Sequence, residues 1–359
     1  MRVTHVVSGI LGGAGRVVHE LAGALAPDVR SSSVLFSTAA PDPTMVATLR
    51  ASNETVDSVT KLAKIGPLAV MRLAAALRRT RPDALLLHDF TAYVWGTMAA
   101  RLVGRVPLIA VEHSNCLESE LRRRVRRLFH PAFAATVCVS PALEARLRAI
   151  GITARLRTIR NGIDQGKLAP LSTRARFDTP ALRLLTVGRL DAPKDHATLI
   201  AAIARLRDEG VPVELRIVGE GSLGPSLRAD VAQRRLDDVI RFEGATIDLP
   251  PYLERVDVVV LPSLAEGLPM ALIEGMAAGC LAIASDVGAV GELLQRGAAG
   301  VLVPPRDVDA LARALADAQR DPTRARALAA AGTRHVAEHY SAARMADEYR
   351  GVLTPLRAA

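Results

Sequence analysis

Residues 256–284 read VDVVVLPSLAEGLPMALIEGMAAGCLAIA, and this stretch decides the fold class. The apolar runs at 256–261 and 281–284 are typical of strands buried on both faces of a sheet, and the segment 271–278 between them predicts a helix. A strand, a helix and a second strand in this order form a crossover unit, which joins two parallel strands. The stretch therefore predicts an α/β fold built on parallel sheet.

The same alternation runs along the rest of the chain, with helical spacing in the segments between apolar runs. The further predicted strands are 3–8, 34–37, 84–87, 108–111, 136–139, 182–187, 213–218, 239–242 and 301–303. A polar, proline-containing stretch around 161–180 interrupts the pattern. We therefore predict two facing, doubly wound, Rossmann-like domains with a cleft between them. The predicted parts are a first domain at 1–168, a linker at 169–180, a second domain at 181–338 and a closing helix at 339–359.

The composition fits a folded two-domain protein. Of the 359 residues, 50% are hydrophobic and 23% are charged, which excludes a largely disordered chain. No uncharged stretch reaches the roughly 20 residues that a membrane-spanning helix needs, so none is predicted. Cys116, Cys138 and Cys280 are odd in number and far apart, which indicates neither a disulfide framework nor a zinc site. We expect a cytoplasmic protein.

The charge is unevenly distributed. Residues 1–170 carry 23 Lys and Arg against 12 Asp and Glu, a balance of +11, whereas residues 171–359 have a balance of −2. A basic half predicts an anionic partner, such as a membrane surface or a phosphorylated acceptor. No nucleic-acid partner is expected, because aromatic residues, which stack on bases, make up only 3% of the chain. A compositional bias toward arginine is the alternative explanation.

A glycine-rich segment follows the first predicted strand. Gly12, Gly13 and Gly15 lead into a helix, and backbone amides at a helix N-terminus favour a phosphate. The segment does not complete the G-x-G-x-x-G pattern of a nicotinamide site, because Val18 occupies the third glycine position. A phosphate loop and an ordinary tight turn both remain open.

In the second half, two cations follow a strand end. Gly188 and Arg189 come directly after the strand at 182–187, and Lys194 lies five residues beyond Arg189. An arginine fork and a lysine point charge suit a diphosphate. The alternative is an ion pair between Arg189 and Asp191, with Lys194 in solvent.

Two further loops carry glycines and carboxylates. Gly219 follows one predicted strand, and Glu266 and Gly267 follow another. The backbone amides of 268–270 then begin a helix and would form an anion site. Glu274 lies in the apolar part of this helix, where it either bonds a sugar hydroxyl or caps a neighbouring glycine loop.

These motifs resemble the retaining glycosyltransferases of family 4, which have the GT-B fold. The segments 188–194, 266–274 and 285–292 carry the resemblance, which extends over nearly the whole chain. The family implies that the second domain binds a nucleotide-sugar donor and that the first binds the acceptor. It also implies that the last helix returns to the first domain.

The resemblance assigns roles to individual residues. Arg189 and Lys194 match the pair that holds the donor diphosphate. Glu266 matches the carboxylate that faces the transferred sugar, and Glu274 matches the one that bonds the nucleotide ribose. The other residues assigned to donor binding are Gly12, Gly13, Gly188, Gly219, Arg241, Gly267, Leu268, Pro269 and Met270.

A histidine is assigned to catalysis in the first half. His113 ends the segment that resembles the strand before the family's active-site histidine, and His88 is the competing candidate. Glu112 departs from the family pattern, where a small or hydroxyl residue is common. Beside His113 it would raise the histidine pKa or bond the acceptor.

The charges also indicate a mechanism. Cleavage of the anomeric bond leaves negative charge on the diphosphate, which Arg189, Lys194 and helix-end amides would stabilise. No Asp-x-Asp pattern, which could hold a metal ion, lies at the end of a predicted strand. Because Arg189 and Lys194 can take the place of a metal at the diphosphate, no metal cofactor is expected. The family implies retention, and we expect a front-face reaction in which the departing phosphate takes the acceptor proton.

The segment 121–129 is basic on one side and apolar on the other. Leu121, Val125, Leu128 and Phe129 fall on one helical face. A basic helix with an apolar face is typical of a membrane-surface contact. One alternative is an ordinary helix whose apolar face packs on the core and whose basic side lies in solvent. Another is a helix that borders the entrance through which the acceptor binds. The basic residues are Arg122, Arg123, Arg124, Arg126 and Arg127.

The leading hypothesis is a hexosyl- or N-acetylhexosaminyltransferase that uses a nucleotide-diphosphate sugar, with UDP-sugars preferred. Its acceptor would be lipid-linked, a surface polysaccharide or a glycolipid, which would bring the protein to the inner face of the cell membrane. One alternative is the same chemistry on a small soluble natural product. Another is a nucleotide-sugar isomerase or a non-catalytic sugar-nucleotide binder.

Overall fold

The computed structural model describes residues 1–8, 12–37, 41, 43–60, 67–113 and 119–357. Two compact units divide the chain: Met1–Ile163 with Ala342–Ala359, and Asp164–Ser341. The predicted linker at 169–180 therefore lies inside the second unit. The buried Arg176 side chain fixes it there by donating to the carbonyls of Leu253 and Ala278 at 2.8 and 2.6 Å. A polar, proline-containing composition does not distinguish a linker from a segment that one buried arginine anchors.

The first unit has a seven-stranded parallel sheet. Its strands are β1 Arg2–Val7, β2 Arg30–Ser37, β3 Thr55–Thr60, β4 Ala84–Leu87, β5 Leu108–Glu112, β6 Ala135–Cys138 and β7 Leu156–Thr158. They lie in the order β3-β2-β1-β4-β5-β6-β7. The helices between them are α1 Gly13–Leu25, α2 Pro43–Arg50, α3 Pro67–Thr80, α4 Phe90–Val103, α5 Glu120–Phe129 and α6 Pro141–Ala149.

The second unit has a six-stranded parallel sheet. Its strands are β8 Leu182–Val187, β9 Val213–Val218, β10 Ile240–Gly244, β11 Val258–Leu261, β12 Leu281–Ser285 and β13 Val301–Val303. They lie in the order β10-β9-β8-β11-β12-β13. Its helices are α7 His196–Asp208, α8 Gly224–Gln233, α9 Pro250–Leu253, α10 Met270–Ala277, α11 Val290–Leu293, α12 Val308–Arg320 and α13 Pro322–His339.

The last helix, α14 (Ala342–Leu353), belongs to the first unit, where it packs against α1. The Ala342 amide donates to the carbonyl of Ile163 at 2.9 Å. Arg350 Nη2 donates to the carbonyl of Ala24 at 2.9 Å. The chain therefore closes by adding a helix to the unit in which it begins.

Short polar side chains set the helix starts. The Asp89 carboxylate N-caps α4 by accepting from the Ala92 amide at 2.9 Å. The Ser140 hydroxyl accepts from the Leu143 amide at 3.3 Å and precedes Pro141 at the first position of α6. Such caps satisfy amides that have no partner inside the helix.

The predicted α/β class with two doubly wound parallel sheets is confirmed. The sequence patterns missed β3 and β7, which lie at the two edges of the first sheet. Edge strands expose part of their surface, and β3 has one buried residue among its six. A continuous apolar run, which identifies central strands, is therefore absent there.

Candidate functional site

The strand order of the second sheet reverses between β8 and β11. In doubly wound sheets, ligands bind beyond the carboxyl ends of the strands at such a switch point. The segments 188–194 and 262–269 emerge from these two neighbouring strands. The Leu264 amide donates to the carbonyl of Pro193 at 2.8 Å, so the two segments are joined directly.

Lys194 and Glu266 form an ion pair across this point. Lys194 Nζ donates to Glu266 Oε1 at 2.6 Å, and the two side chains are 23% and 8% exposed. The alternative interpretation, which left Lys194 in solvent, is therefore wrong for this residue. The structure brings together one of the predicted cations and the predicted sugar-facing carboxylate.

Arg189 pairs with Asp191 at 2.8 Å, as the alternative interpretation expected, and its side chain is 62% exposed. Asp191 Oδ1 also accepts from the Ser222 amide and hydroxyl at 3.1 and 3.0 Å. Burial raises the pKa of Asp191, but the Ser222 hydrogen bonds and the Arg189 charge outweigh this effect and lower it. Asp191, which the alternative interpretation assigned only to Arg189, thus also ties the loop after β8 to the loop after β9.

Gly188 and Gly219 meet through their backbones. Gly219 has φ +145°, and a Cβ there would lie 1.9 Å from the carbonyl oxygen of Gly188. The Gly219 amide donates to the carbonyl of Gly244 at 2.7 Å. Only glycine allows this approach, so Gly219 has a packing role at the base of the predicted donor loops.

The segment that leads into α10 is buried. Gly267, Leu268, Pro269 and Met270 are all shielded from solvent. The helix starts at Met270, one residue before the predicted segment 271–278, with Pro269 as its N-cap residue. Because proline has no side-chain acceptor, it cannot cap the first-turn amides, which suits an anion site. Glu274 is buried within α10.

Arg241 is not brought into this group. It lies on β10, the edge strand of the sheet, which β9 separates from β8. Its side chain is exposed, and the neighbouring Phe242 ring stacks under Arg228 at 4.3 Å. The base-reading role of the segment 241–244 stays a prediction.

Three histidines form a hydrogen-bonded chain in the first unit. His5 Nδ1 lies 3.0 Å from His88 Nε2, and His88 Nδ1 lies 3.0 Å from His113 Nε2. His5 and His88 are fully buried and His113 is half-buried. Burial lowers the pKa of His5 and His113 to about 4 and that of His88 well below its usual value. The two competing histidines are thus neighbours, and His5 is a third member that the sequence reasoning missed.

Glu112 does not act on His113 in the expected way. Its carboxylate forms a buried ion pair with Arg126. The Arg126 guanidinium also lies 5.3 and 5.6 Å from the ring centroids of Phe90 and Tyr93. The pKa of His113 is lowered by burial, so the expectation that Glu112 raises it is wrong. Arg126 is likewise wrongly predicted as a surface residue.

The two leucines of α5 face outward, whereas Phe129 at the end of the helix packs against the core of the first unit. Leu121 and Leu128 are 71% and 77% exposed. Arg122 lies over the Phe90 ring at 5.2 Å, so the inward side of the helix is lined by arginine and aromatic contacts. The predicted apolar residues therefore do not form one core-packed face, because the leucines are exposed and Phe129 packs against the core. The remaining basic residues of the helix, Arg123, Arg124 and Arg127, each lie within 3.6 to 3.9 Å of Glu120.

The glycine-rich segment after β1 is only partly described. Gly12 and Gly13 are exposed at the start of α1, with Gly12 as its N-cap residue. The Ser8 amide donates to Asp89 Oδ2 at 2.6 Å, which joins the ends of β1 and β4. The other loop residues, 9–11, and Cys116 lie outside the described residues. Cys138 and Cys280 are buried free thiols.

In the described ranges, no group of three or more His, Cys, Asp or Glu side chains is arranged to hold a metal ion. Within the same ranges, no helix combines the length and the apolar character needed to cross a bilayer.

Comparison with known families identifies both units. A family model described as "Glycosyltransferase Family 4" matches residues 11–167, and one described as "Glycosyl transferases group 1" matches residues 181–321. The two matches span most of the first and second units.

Relatives with similar sequences support the same family, and a solved structure has a matching fold. The chain is 28% identical to glycogen synthase of Mycobacterium tuberculosis over 92% of its length and 88% of that protein. It is 29% identical to a phosphatidyl-myo-inositol mannosyltransferase of Mycolicibacterium smegmatis, over 72% of this chain and 67% of that one. Its fold matches that of Anabaena HepE, solved with UDP and glucose, with a TM-score of 0.83, 19% identity and 99% of each chain covered. The chain belongs to the family 4 glycosyltransferases, and its fold is GT-B.

Proposed function

We propose that the protein is a retaining, metal-independent glycosyltransferase that takes a hexosyl or N-acetylhexosaminyl group from a UDP-sugar. The Lys194–Glu266 contact at the switch point of the second sheet carries this proposal, since it joins a diphosphate cation to a sugar-facing carboxylate. The likeness to HepE, which was solved with UDP and glucose, supports the donor class.

The charges of the site suit a diphosphate. Arg189 and Lys194 are each paired with a carboxylate, Arg189 with Asp191 and Lys194 with Glu266. A diphosphate can replace these carboxylates as the partner of the two cations, through fork and point-charge contacts. Glu266 then becomes available to the hydroxyls of the sugar.

The reaction follows from this exchange. The bond between the anomeric carbon and the diphosphate oxygen breaks, and its electron pair stays on the phosphate. Lys194, Arg189 and the amides at the start of α10 stabilise that charge. The acceptor hydroxyl attacks on the same face and gives its proton to the departing phosphate, which retains the anomeric configuration.

The acceptor is proposed to be a lipid-linked sugar, a glycolipid or a surface polysaccharide at the inner face of the membrane. In the first sheet, α3, α4 and α5 connect strands that progress in one direction, so right-handed crossovers place these helices on one face. The exposed large hydrophobic residues on them are Leu68, Met71, Met98, Leu102, Leu121 and Leu128. Together with the +11 balance of residues 1–170, this face suits an anionic lipid surface.

A transfer assay tests the proposed reaction. The full chain is incubated in excess EDTA with UDP-, GDP- or ADP-sugars, and with either vesicles that carry a polyprenyl-diphosphate-linked sugar or a soluble maltooligosaccharide. We expect release of UDP with the vesicle acceptor and a product whose anomeric configuration, read by NMR, equals that of the donor. Dependence on Mg²⁺ or Mn²⁺ would overturn the proposed metal independence. An inverted product would overturn retention, and preference for the soluble acceptor would overturn the proposed lipid-linked acceptor.

A further inference from the structure

The three linked histidines cross the first sheet diagonally. His5 lies on β1, and His88 and His113 directly follow β4 and β5, and these three strands are adjacent. His5 pairs in register with Leu86, and Leu87 pairs with Ala110, so the three rings lie on the same face of the sheet. They step from the middle of β1 toward the carboxyl edge, where ligands bind in this type of sheet.

Two hydrogen bonds between three neutral imidazoles allow only two proton arrangements. Each neutral ring has one N–H and one bare nitrogen, and His88 uses both of its nitrogens. If His88 donates to His113, it must accept from His5, and every ring then carries its proton on Nδ1. In the other arrangement every proton lies on Nε2.

The buried end of the chain distinguishes the two arrangements. In the described part of the protein, His5 Nε2 is buried without a hydrogen-bond partner. A buried N–H without an acceptor is rarer in proteins than an under-satisfied acceptor. A bare Nε2 on His5 therefore fits better, and it places the His113 proton on Nδ1.

We infer that His5 and His88 are positioning residues that hold His113 as the neutral Nδ1–H tautomer. His113 then donates a hydrogen bond to a hydroxyl or phosphate oxygen of the substrate and does not act as a general base. The substrate contact rests on the proposed transferase function, whereas the tautomer does not.

The electrostatics support a neutral donor. Because burial lowers the pKa of His113 to about 4, its neutral form is a weak base at pH 7. The adjacent carboxylate of Glu112 is paired with Arg126, so it is not available to stabilise a charged His113. Which ring nitrogen carries the proton is generally fixed by the hydrogen bond of the other nitrogen, here the one from His88.

Nitrogen NMR of the full chain tests the tautomer without any substrate. Histidine-selective ¹⁵N labelling gives signals from eight residues, and His113→Asn assigns those of His113. We expect a protonated Nδ1 and a bare Nε2 on His113. A proton on Nε2 of His113 would overturn the inference even if the protein is a transferase, and the expected spectrum would stand even if it is not.

Kinetics of His88 variants test the consequence. His88→Leu removes the donor to His113 and is expected to lower kcat by about 10- to 100-fold, as losses of orienting partners typically do. His88→Asn keeps an amide donor near the position of Nδ1 and is expected to recover most of kcat. The control is Thr4→Val, which removes a hydrogen bond to Thr80 from the neighbouring residue of β1. Equal loss in His88→Leu and His88→Asn, with both folded, would contradict the inference.

Discussion

At the residue scale, the two cations of the proposed donor site differ in how firmly the protein holds them. Lys194 is mostly buried against Glu266, whereas Arg189 reaches Asp191 from an exposed position. An exposed ion pair contributes little and fixes its side chains weakly. Lys194 is therefore the better preorganised cation, and preorganised charge contributes most to transition-state stabilisation.

Lys194→Ala is expected to lower kcat/KM by about 2–4 kcal/mol of transition-state stabilisation, or roughly 30- to 1000-fold, while the fold survives. Steady-state kinetics and circular dichroism measure the two effects. Lys167→Ala is the matched control, because Lys167 is exposed and lies outside the site. Similar rates for both variants would remove Lys194 from the mechanism.

The sequence predicted which residue types lie in the site better than how they pair. Arg189, Lys194 and Glu266 follow strand ends, and that position is readable from local patterns. The Lys194–Glu266 contact joins residues 72 positions apart, so only the strand order brings it about. His5 was missed because it lies inside an apolar strand, where a histidine is ordinarily a structural residue.

At the element scale, α5 has its leucines on the outside and a buried arginine on the inside. The helical spacing of its apolar residues was predicted correctly, but spacing does not say which side faces the core. The buried Glu112 decides this, because a carboxylate inside the unit needs a charged partner and Arg126 supplies it.

Three exposed residues along α5 allow its contact with a membrane to be tested. Leu121, Arg124 and Leu128 are exposed and follow helical spacing of three and four residues. Replacing all three by Gln is expected to weaken binding to anionic vesicles, since burial of apolar side chains and about 1 kcal/mol for the arginine are both lost. Binding of the unchanged protein should also weaken at high salt.

Vesicle sedimentation measures this effect. Arg234→Gln, at an exposed arginine directly after α8 of the second unit, is the matched control. If the triple variant and the control sediment alike, or if the unchanged protein does not sediment, α5 does not contact lipid.

At the scale of the whole molecule, buried histidines couple stability to pH. Burial lowers the pKa of His196 to about 4, and the nearby Lys194 charge adds to this effect. Between pH 6.5 and pH 4 the unfolded chain therefore binds a proton that the folded chain does not. The contribution of His196 to the free energy of unfolding is therefore complete above pH 6.5 and is lost as the pH falls. For a histidine whose pKa is lowered this far, the loss between pH 6.5 and pH 4 is about 3 kcal/mol.

Urea unfolding at pH 7, 6 and 5 measures this loss. His196→Asn is expected to show a smaller decrease in the free energy of unfolding than the unchanged protein does. His339→Asn, at an exposed position, should match the unchanged protein. An unaltered pH dependence in His196→Asn would contradict the assignment.

If the loops after β8 and β11 bind the diphosphate of the donor, the protein should bind UDP through Arg189 and Lys194, and calorimetric titration measures that binding. We predict that Arg189→Ala and Lys194→Ala bind UDP at least about tenfold more weakly, as loss of a charge-assisted contact implies. Glu266→Gln should bind UDP as tightly as the unchanged protein or more tightly, because it frees Lys194 from a competing carboxylate, yet it should lose transfer. Equal UDP affinity in all four proteins, or no binding by the unchanged chain, would show that these loops do not hold the donor diphosphate.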